Sequence, residues 1–435
     1  MKSSNKFWPQ GWWRIVDTQI GAVPLPIFVL LFGLIAAFVA TGPVPSDILM
    51  AVVLLSVGGF ACAEFGKRLP ILRQIGAAAI CATFVPSFLV AKHLLPAPVI
   101  SAITDFTKSS NFLYLFISAI IVGSILGMDR RVLVLGFIKI FVPLALGSVV
   151  AAAAGTLVGM AVGFTAHDAL FYIVVPIMAG GVGEGAIPLS IGYSTILHQA
   201  QGDLFAQILP SVMLGSLIAI ILSGCLNFLG KRLPHLTGEG RLQPGGDEIA
   251  PGEEPISTSP DVMTIAAAGV TAVTLYLAGV LAQRLLGFPA PVTMLFLAVI
   301  LKLGRVVSPR LQSGAYALFR FFSTAVTYPL LFAIGVAMTP WDKLTASFTL
   351  PVLATIFVTV ATLMGTGYLI ARVIGMYPID VAIVNSCHSG QGGTGDVAIL
   401  TAANRMQLMP FAQIATRIGG AITVTLALSY LAWLS

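Results

Sequence analysis

Eleven stretches of this chain are long and apolar enough to cross a lipid bilayer, and nothing else in the sequence constrains its fold as much. They lie near 24–41, 48–63, 75–95, 111–128, 137–161 and 204–229, then near 262–283, 290–304, 316–338, 347–371 and 409–432. A hydrocarbon layer of about 30 Å takes about 20 apolar residues in a helix. Backbone inside that layer must satisfy its own N–H and C=O groups, which a helix does within one segment. Charged residues make up 9% of the chain and hydrophobic ones 57%, whereas a soluble domain has roughly a quarter charged. That much apolar surface does not fit inside a water-soluble core, so the expected class is an all-α polytopic membrane protein surrounded by lipid.

Between the two sets of windows runs "KRLPHLTGEGRLQPGGDEIAPGEEPISTSP", Lys231 to Pro260. Its proline, glycine and mixed charge read as a solvated linker rather than a folded domain. The opening "MKSSNKFWPQGWWR" carries basic residues and three tryptophans, an interfacial collar ahead of a retained first helix. An inside N-terminus gathers most Lys and Arg residues on one side, among them Lys67, Arg68, Arg130, Arg131, Lys231, Arg232, Lys302 and Arg372. Only Lys92, Lys108, Arg284 and Lys343 fall clearly opposite. The positive-inside rule then makes the linker cytoplasmic and the C-terminus external. The net charge of +6 is topological, and nucleic acid is not an expected partner.

Two segments share a spacing. "GFTAHDALFYIVVPIMAGGVGEG" starts at Gly163 and "GMYPIDVAIVNSCHSGQGGTGD" at Gly375. Gly163, Asp168, Gly180, Gly181, Gly183 and Glu184 map without a gap onto Gly375, Asp380, Gly392, Gly393, Gly395 and Asp396, since 375 − 163 and 396 − 184 both give 212. "FAQI" also occurs twice, at Phe205 and at Phe411. These coincidences indicate an internal duplication. Five spans per half is an odd number, so the halves enter the membrane from opposite sides, the inverted-repeat plan of secondary transporters.

The expected organisation is a cytoplasmic N-terminus and first helix over 1–47, a first repeat over 48–230, the linker over 231–260 and a second repeat over 261–435. Each repeat has five transmembrane helices and one re-entrant glycine-rich hairpin, at 169–200 and 379–404. From Asp380 to Ser389 a helix climbs only about 15 Å, half the membrane, so the glycines turn the chain near the midplane. Irregular backbone is tolerated there only when it is buried in protein or lines a wet cavity. Glycine accepts positive φ and lets a ligand approach the backbone closely. Two such tips present N–H groups at half-helix N-termini to carboxylates and carbonyl oxygens to a cation.

These paired segments, with "EFGKRLP" at Glu64–Pro70, "SNFL" at Ser110–Leu113, "PIMAGGVGEGAIPLS" at Pro176–Ser190 and "NRMQLMPFAQIATRIGG" at Asn404–Gly420, resemble the bacterial 2-hydroxycarboxylate transporter family, the carriers of citrate and malate, over essentially the whole chain. The resemblance implies a homodimer in the inner membrane and elevator movement of a transport domain against a scaffold. It also implies a substrate-carboxylate anchor at Arg417, in the R-[IL]-G-G context of the last span. Arg417 stands out physically as well: if helical, the chain carries it about 18 Å beyond Arg405, deep enough that an unpaired guanidinium is costly. The bland reading is an arginine neutralised by Asp396 or Glu184 for structure alone.

Citrate carriers resemble "NRGGSG" at the second tip, where this chain has Gly390, Gln391, Gly392, Gly393, Thr394 and Gly395. They have asparagine where the first tip, Gly180, Gly181, Val182 and Gly183, has Val182. One cationic ligand has become an amide, which leans towards malate and keeps citrate open. Importing a carboxylate against an inside-negative potential takes cotransported cations, about 2.3 kcal/mol per charge per 100 mV. Sodium is the first expectation, with Asn385, Ser389, Thr394, Asp396 and Glu184 as oxygen donors; proton coupling or exchange of organic acids is the alternative. Asp396 and Glu184 also read as carboxylates at helix N-termini, Asp168 and Asp380 as markers of the hairpin entrances at the interface, and His388 as a proton carrier or a satisfied tertiary histidine.

No organic cofactor is expected, and Cys62, Cys81, Cys225 and Cys387 show no paired spacing. Gly390–Gly395 spells G-x-G-x-x-G without a βαβ context. "GTGD" at Gly393–Asp396 resembles the G-x-G-D of intramembrane aspartyl proteases, but neither the Y-D nor the P-A-L motif of that class appears, so no enzyme is expected. A passive channel is the third class considered.

Overall fold

The computed structural model describes residues 11–42, 44–45, 47–69, 77–127, 130, 137–244, 260–286, 290–346, 348–390 and 393–435. Almost all regular structure is helical. A two-residue ribbon, Gln19–Ile20 with Val23–Pro24, precedes the first long helix. The helices are α1 (Leu25–Thr41), α2 (Ile48–Arg68), α3 (Ala77–Ala91), α4 (Ala97–Ser109), α5 (Phe112–Gly127), α6 (Phe137–Ala161), α7 (Ala166–Ile177), α8 (182–197), α9 (Gln201–Arg232), α10 (Val262–Leu286), α11 (Ala290–Leu303), α12 (Pro309–Phe321), α13 (Thr327–Ala337), α14 (Leu350–Val373), α15 (Pro378–Cys387), α16 (Gly393–Ala402) and α17 (Phe411–Leu434). Among the described residues seven helices are long and apolar enough to span a membrane, with α12 and α13 counted as the one span Pro309–Ala337, and eight if α4 and α5 count as one bent span. The windows at 24–41, 75–95 and 290–304 form shorter helices, and α3 and α11 begin where undescribed residues end.

Helix starts follow local chemistry. Asp47 caps α2 by accepting from Met50 N–H at 2.8 Å, and Ser308 caps α12 by accepting from Leu311 N–H at 3.2 Å, each satisfying one of the orphan donors of a first turn. Asp261 caps α10: it accepts from the hydroxyl and the N–H of Thr264, and Arg310 reaches it at 2.7 Å. These contacts, the Thr264 hydroxyl first, hold its carboxyl below the usual carboxylate range.

On α10 the buried residues are Thr264, Ala268, Ala272, Leu275 and Gly279, while Val270, Leu277, Leu281 and Leu285 are exposed. The stripe recurs every three to four residues and is mostly small, so backbones approach closely on that face and large apolar side chains are left for lipid.

Two compact units form, each drawing on both halves of the sequence. One contains α1–α4 and α13; the other contains α5–α12 and α14–α17. In the first, Gly58 and Gly59 of α2 lie against Phe332 and Pro329 of α13, and the Ser87 hydroxyl donates to the Thr339 carbonyl at 2.7 Å. In the second, α6 packs lengthwise on α14, and both α7 and α15 rest on that pair. α7 and α15 begin at Ala166 and Pro378, which stand at the same offset as the sequence match.

The first part of the expected solvated linker is folded. Leu236, Thr237 and Leu242 are buried, and the Tyr377 N–H donates to the Leu242 carbonyl at 2.9 Å. Asp380, expected at an interface, has no exposed surface. It accepts from the Thr237 hydroxyl (2.8 Å) and from the N–H groups of Gly238 (2.7 Å) and Gly240 (2.8 Å), with Arg405 Nε at 3.3 Å. Its sequence counterpart Asp168 remains half exposed beside His167. Lys302, expected as a free topological charge, is also buried, and donates to the Leu126 carbonyl at 2.7 Å and to Gln312 at 2.8 Å. The remainder of the linker, 245–259, lies outside the described residues.

Candidate functional site

The two glycine-rich segments are breaks between helix pairs. α7 ends at Ile177, and its partner α8 starts at Val182 after Gly180 and Gly181, whose φ values of 88° and 96° are ones that glycine adopts without strain. α15 ends at Cys387 and α16 begins at Gly393. Gln391 and Gly392 lie outside the described residues, and of Gly393 and Thr394 only the backbone is described, as the first residues of α16.

Both breaks meet one stretch of α17, where residues Ile414–Gly419 form a π-helical turn. Such turns widen a helix locally and are frequent at functional sites. Gly180 and Gly420 touch backbone to backbone: a Cβ on Gly420 would stand 2.7 Å from Gly180 Cα. On the other side the Thr416 hydroxyl faces Asp396 Oδ1 at 2.6 Å and the Cys387 carbonyl at 2.8 Å. The buried His388 ring bridges Ser148 Oγ of α6 (3.0 Å) and Thr423 Oγ1 of α17 (3.3 Å). Ser148 and Thr423 lie in no motif of the sequence, and Thr416, although it directly precedes Arg417 in one, is not marked by it as a site residue.

Arg417 sits in the π-turn at 9% exposure. Its Nε lies 3.7 Å from Glu184 Oε1, and its guanidinium carbon stands 4.5 Å from the Phe319 ring centroid, a cation–π distance. Nε has no hydrogen-bond partner among the described residues. Glu184 accepts from the Ser124 hydroxyl at 3.4 Å. Ser124, Ile125, Glu184, Arg417, Val424 and Thr425 line a cavity of about 20 Å³, room for one water and far below the ~300 Å³ at which ligand pockets begin. The Thr425 hydroxyl also lacks a partner. A larger polar cavity of about 310 Å³, beside Asn227, Lys231, Glu239 and Arg405, adjoins the folded start of the linker.

Glu184 and Asp396 both occupy first turns, of α8 and α16. Among the described residues their bonds run sideways, to Ser124 and Arg417 and to Thr416. Asp396 Oδ2 and Asn385 Oδ1 are buried oxygens without a hydrogen-bond partner among the described residues. Asn385 is fixed through Nδ2, which donates to the carbonyls of Pro143 (2.9 Å) and Leu363 (3.2 Å). Unpartnered hard oxygens of this kind suit a small cation. The Ser389 hydroxyl is already used, donating to the Ser386 carbonyl at 2.7 Å. Val182 is buried, and Gly183 has only Phe116 within reach of a Cβ.

Broken helices that meet near the middle of a bundle are how membrane transporters build solute sites, and transporter is the class to which known proteins assign this chain. It belongs to the 2-hydroxycarboxylate transporter family, whose sequence model matches residues 20–429. It is 55% identical over 417 residues to the citrate/malate–proton symporter of Bacillus subtilis (strain 168), covering 95% of this chain and 93% of that one. It is 40% identical to the Na(+)-malate symporter of the same organism, over 95% of this chain and 93% of the relative. Identity to the citrate/sodium symporter of Salmonella typhimurium is 30%, over 94% of both chains. The protease reading of Gly393–Asp396 falls, because the family and these relatives are transporters.

Proposed function

We propose that the chain is an elevator-type symporter that imports 2-hydroxycarboxylates, malate or citrate, across the bacterial inner membrane as a homodimer, with its N-terminus and linker cytoplasmic and its C-terminus outside. The observation that carries this reading is Arg417: a buried guanidinium between two glycine breaks, with an Nε that no hydrogen bond occupies among the described residues, suits a ligand carboxylate. Gly180, Gly181, Val182 and Gly183 from the first break, and Gln391, Gly392, Gly393 and Thr394 from the second, complete the substrate site. Gln391 brings an amide where citrate carriers resemble an arginine, which favours the smaller diacid. Helix pairs starting at a constant offset, and two units each built from both halves, support inverted repeats with re-entrant hairpins and a body that moves against a scaffold.

Sodium is the coupling ion in this reading, received by the open oxygens of Asp396 and Asn385 with Ser389 four residues on from Asn385; Glu184, expected as a further donor, faces Arg417 instead. Val182 in place of asparagine weakens the sodium reading, and the likeness to a citrate/malate–proton symporter fits protons as the second reading. Uptake of labelled malate and citrate into proteoliposomes decides between them. An imposed sodium gradient is expected to drive accumulation at constant pH. Accumulation under a proton gradient alone moves the coupling to protons, and uptake under neither, with exchange intact, makes the protein an antiporter of organic acids.

A further inference from the structure

Glu184 is placed oddly for a structural partner of Arg417. A permanent buried ion pair is normally closed by short N–H···O bonds, often two in parallel. Here the charges are matched but the pair is open: 3.7 Å separates Glu184 Oε1 from Arg417 Nε, and Nε makes no hydrogen bond among the described residues. The other contact of that carboxylate, with the Ser124 hydroxyl, is long at 3.4 Å. Both side chains face a cavity of about 20 Å³, too small for a second carboxylate while Glu184 remains there. Phe319 lies over the guanidinium, and Glu184 stands beside the Nε that a ligand carboxylate would take.

We propose that Glu184 is the carrier's own stand-in for the substrate carboxylate: it neutralises Arg417 when the site is empty, is displaced when substrate binds, and so allows the unloaded carrier to reorient. This rests on the reading of Arg417 as the substrate anchor. Net uptake requires the empty site to return across the membrane, whereas exchange returns it loaded. A lone guanidinium moved through a low-dielectric region is costly; an arginine paired with its own glutamate returns with no net charge. Ser124 holds the carboxylate within reach without competing for the charge.

The test is the ratio of net malate uptake to malate counterflow in proteoliposomes. In Glu184→Gln, net uptake is expected to fall about tenfold or more relative to counterflow, because only the empty return carries the uncompensated charge. Ser124→Ala, a smaller change that removes only the hydroxyl, should shift the ratio the same way by a lesser factor, and it decides the matter if the glutamine variant does not fold. An unchanged ratio, or a parallel loss of uptake and counterflow in a folded variant, overturns the proposal. Arg417→Lys separates the two ideas. If the anchor reading fails, malate binding is untouched in that variant. If only the stand-in idea fails, binding weakens there while the ratio in Glu184→Gln stays at the wild-type value.

Discussion

Arg417 keeps a charge partner and an aromatic neighbour but leaves a donor open, and that combination makes its chemistry testable. Arg417→Lys retains the charge, and with it the pairing to Glu184, but loses the planar fork and the stacking on Phe319. Malate binding should weaken by about 1–3 kcal/mol, the scale of a charge-assisted hydrogen bond; an unchanged dissociation constant in a substrate-binding titration would remove Arg417 from the anchor role. The sequence marks this residue because a lone arginine deep in an apolar span is rare, and because the R-[IL]-G-G context is specific. It does not mark Ser124 or Phe319, an ordinary serine and an ordinary phenylalanine that acquire a role only because α5 brings one to Glu184 and α12 brings the other to Arg417. His388 shows the opposite: an eye-catching residue in the sequence, held in the structure between two hydroxyls.

At the scale of elements, the close approach of the first break to α17 depends on glycine on both sides. Gly420→Ala would put a Cβ 2.7 Å from Gly180 Cα and 2.8 Å from the Ala179 carbonyl. Backbone cannot yield there cheaply, so a loss of about 1–3 kcal/mol is expected from overpacking, read as a lower midpoint of thermal unfolding in detergent with malate transport reduced. Gly365→Ala in α14, where a Cβ meets nothing within 4 Å, is the control and should change neither; equal behaviour of the two variants would show that the contact is not tight. The spacing of the glycine segments places both breaks within a few residues. The π-turns at Ala169–Val174, Val182–Ala186 and Ile414–Gly419 were not legible, since one extra residue in a helical turn leaves no mark in an apolar run. Residues 233–242 read as solvated for a related reason: composition reports proline, glycine and charge, while their burial depends on a carboxylate more than a hundred residues further on.

For the whole molecule, the distribution of Lys and Arg predicts the orientation that the sites require. With the four native cysteines replaced, a cysteine at Ser257 should react with a membrane-impermeant thiol reagent only in inside-out vesicles, and one at Ser435 only in right-side-out vesicles. The reverse pattern would overturn the assigned orientation, and both labels from one side would overturn the odd number of spans in the second half. Apolar windows and charge asymmetry were readable because they are properties of the chain alone. The division into two units, one joining α1–α4 to α13, was not, because it depends on which helices pair after insertion.

Asp380 also bears on how the protein is made. Its carboxylate is buried in the second half of the chain, yet Thr237, Gly238 and Gly240, three of its four donors, come from the folded start of the linker. A second half inserted beside a partner without residues 233–242 keeps a buried carboxylate facing only Arg405, a costly state. The joint therefore ties the stability of the second half to the segment that precedes it, so the two halves are not independent folding units.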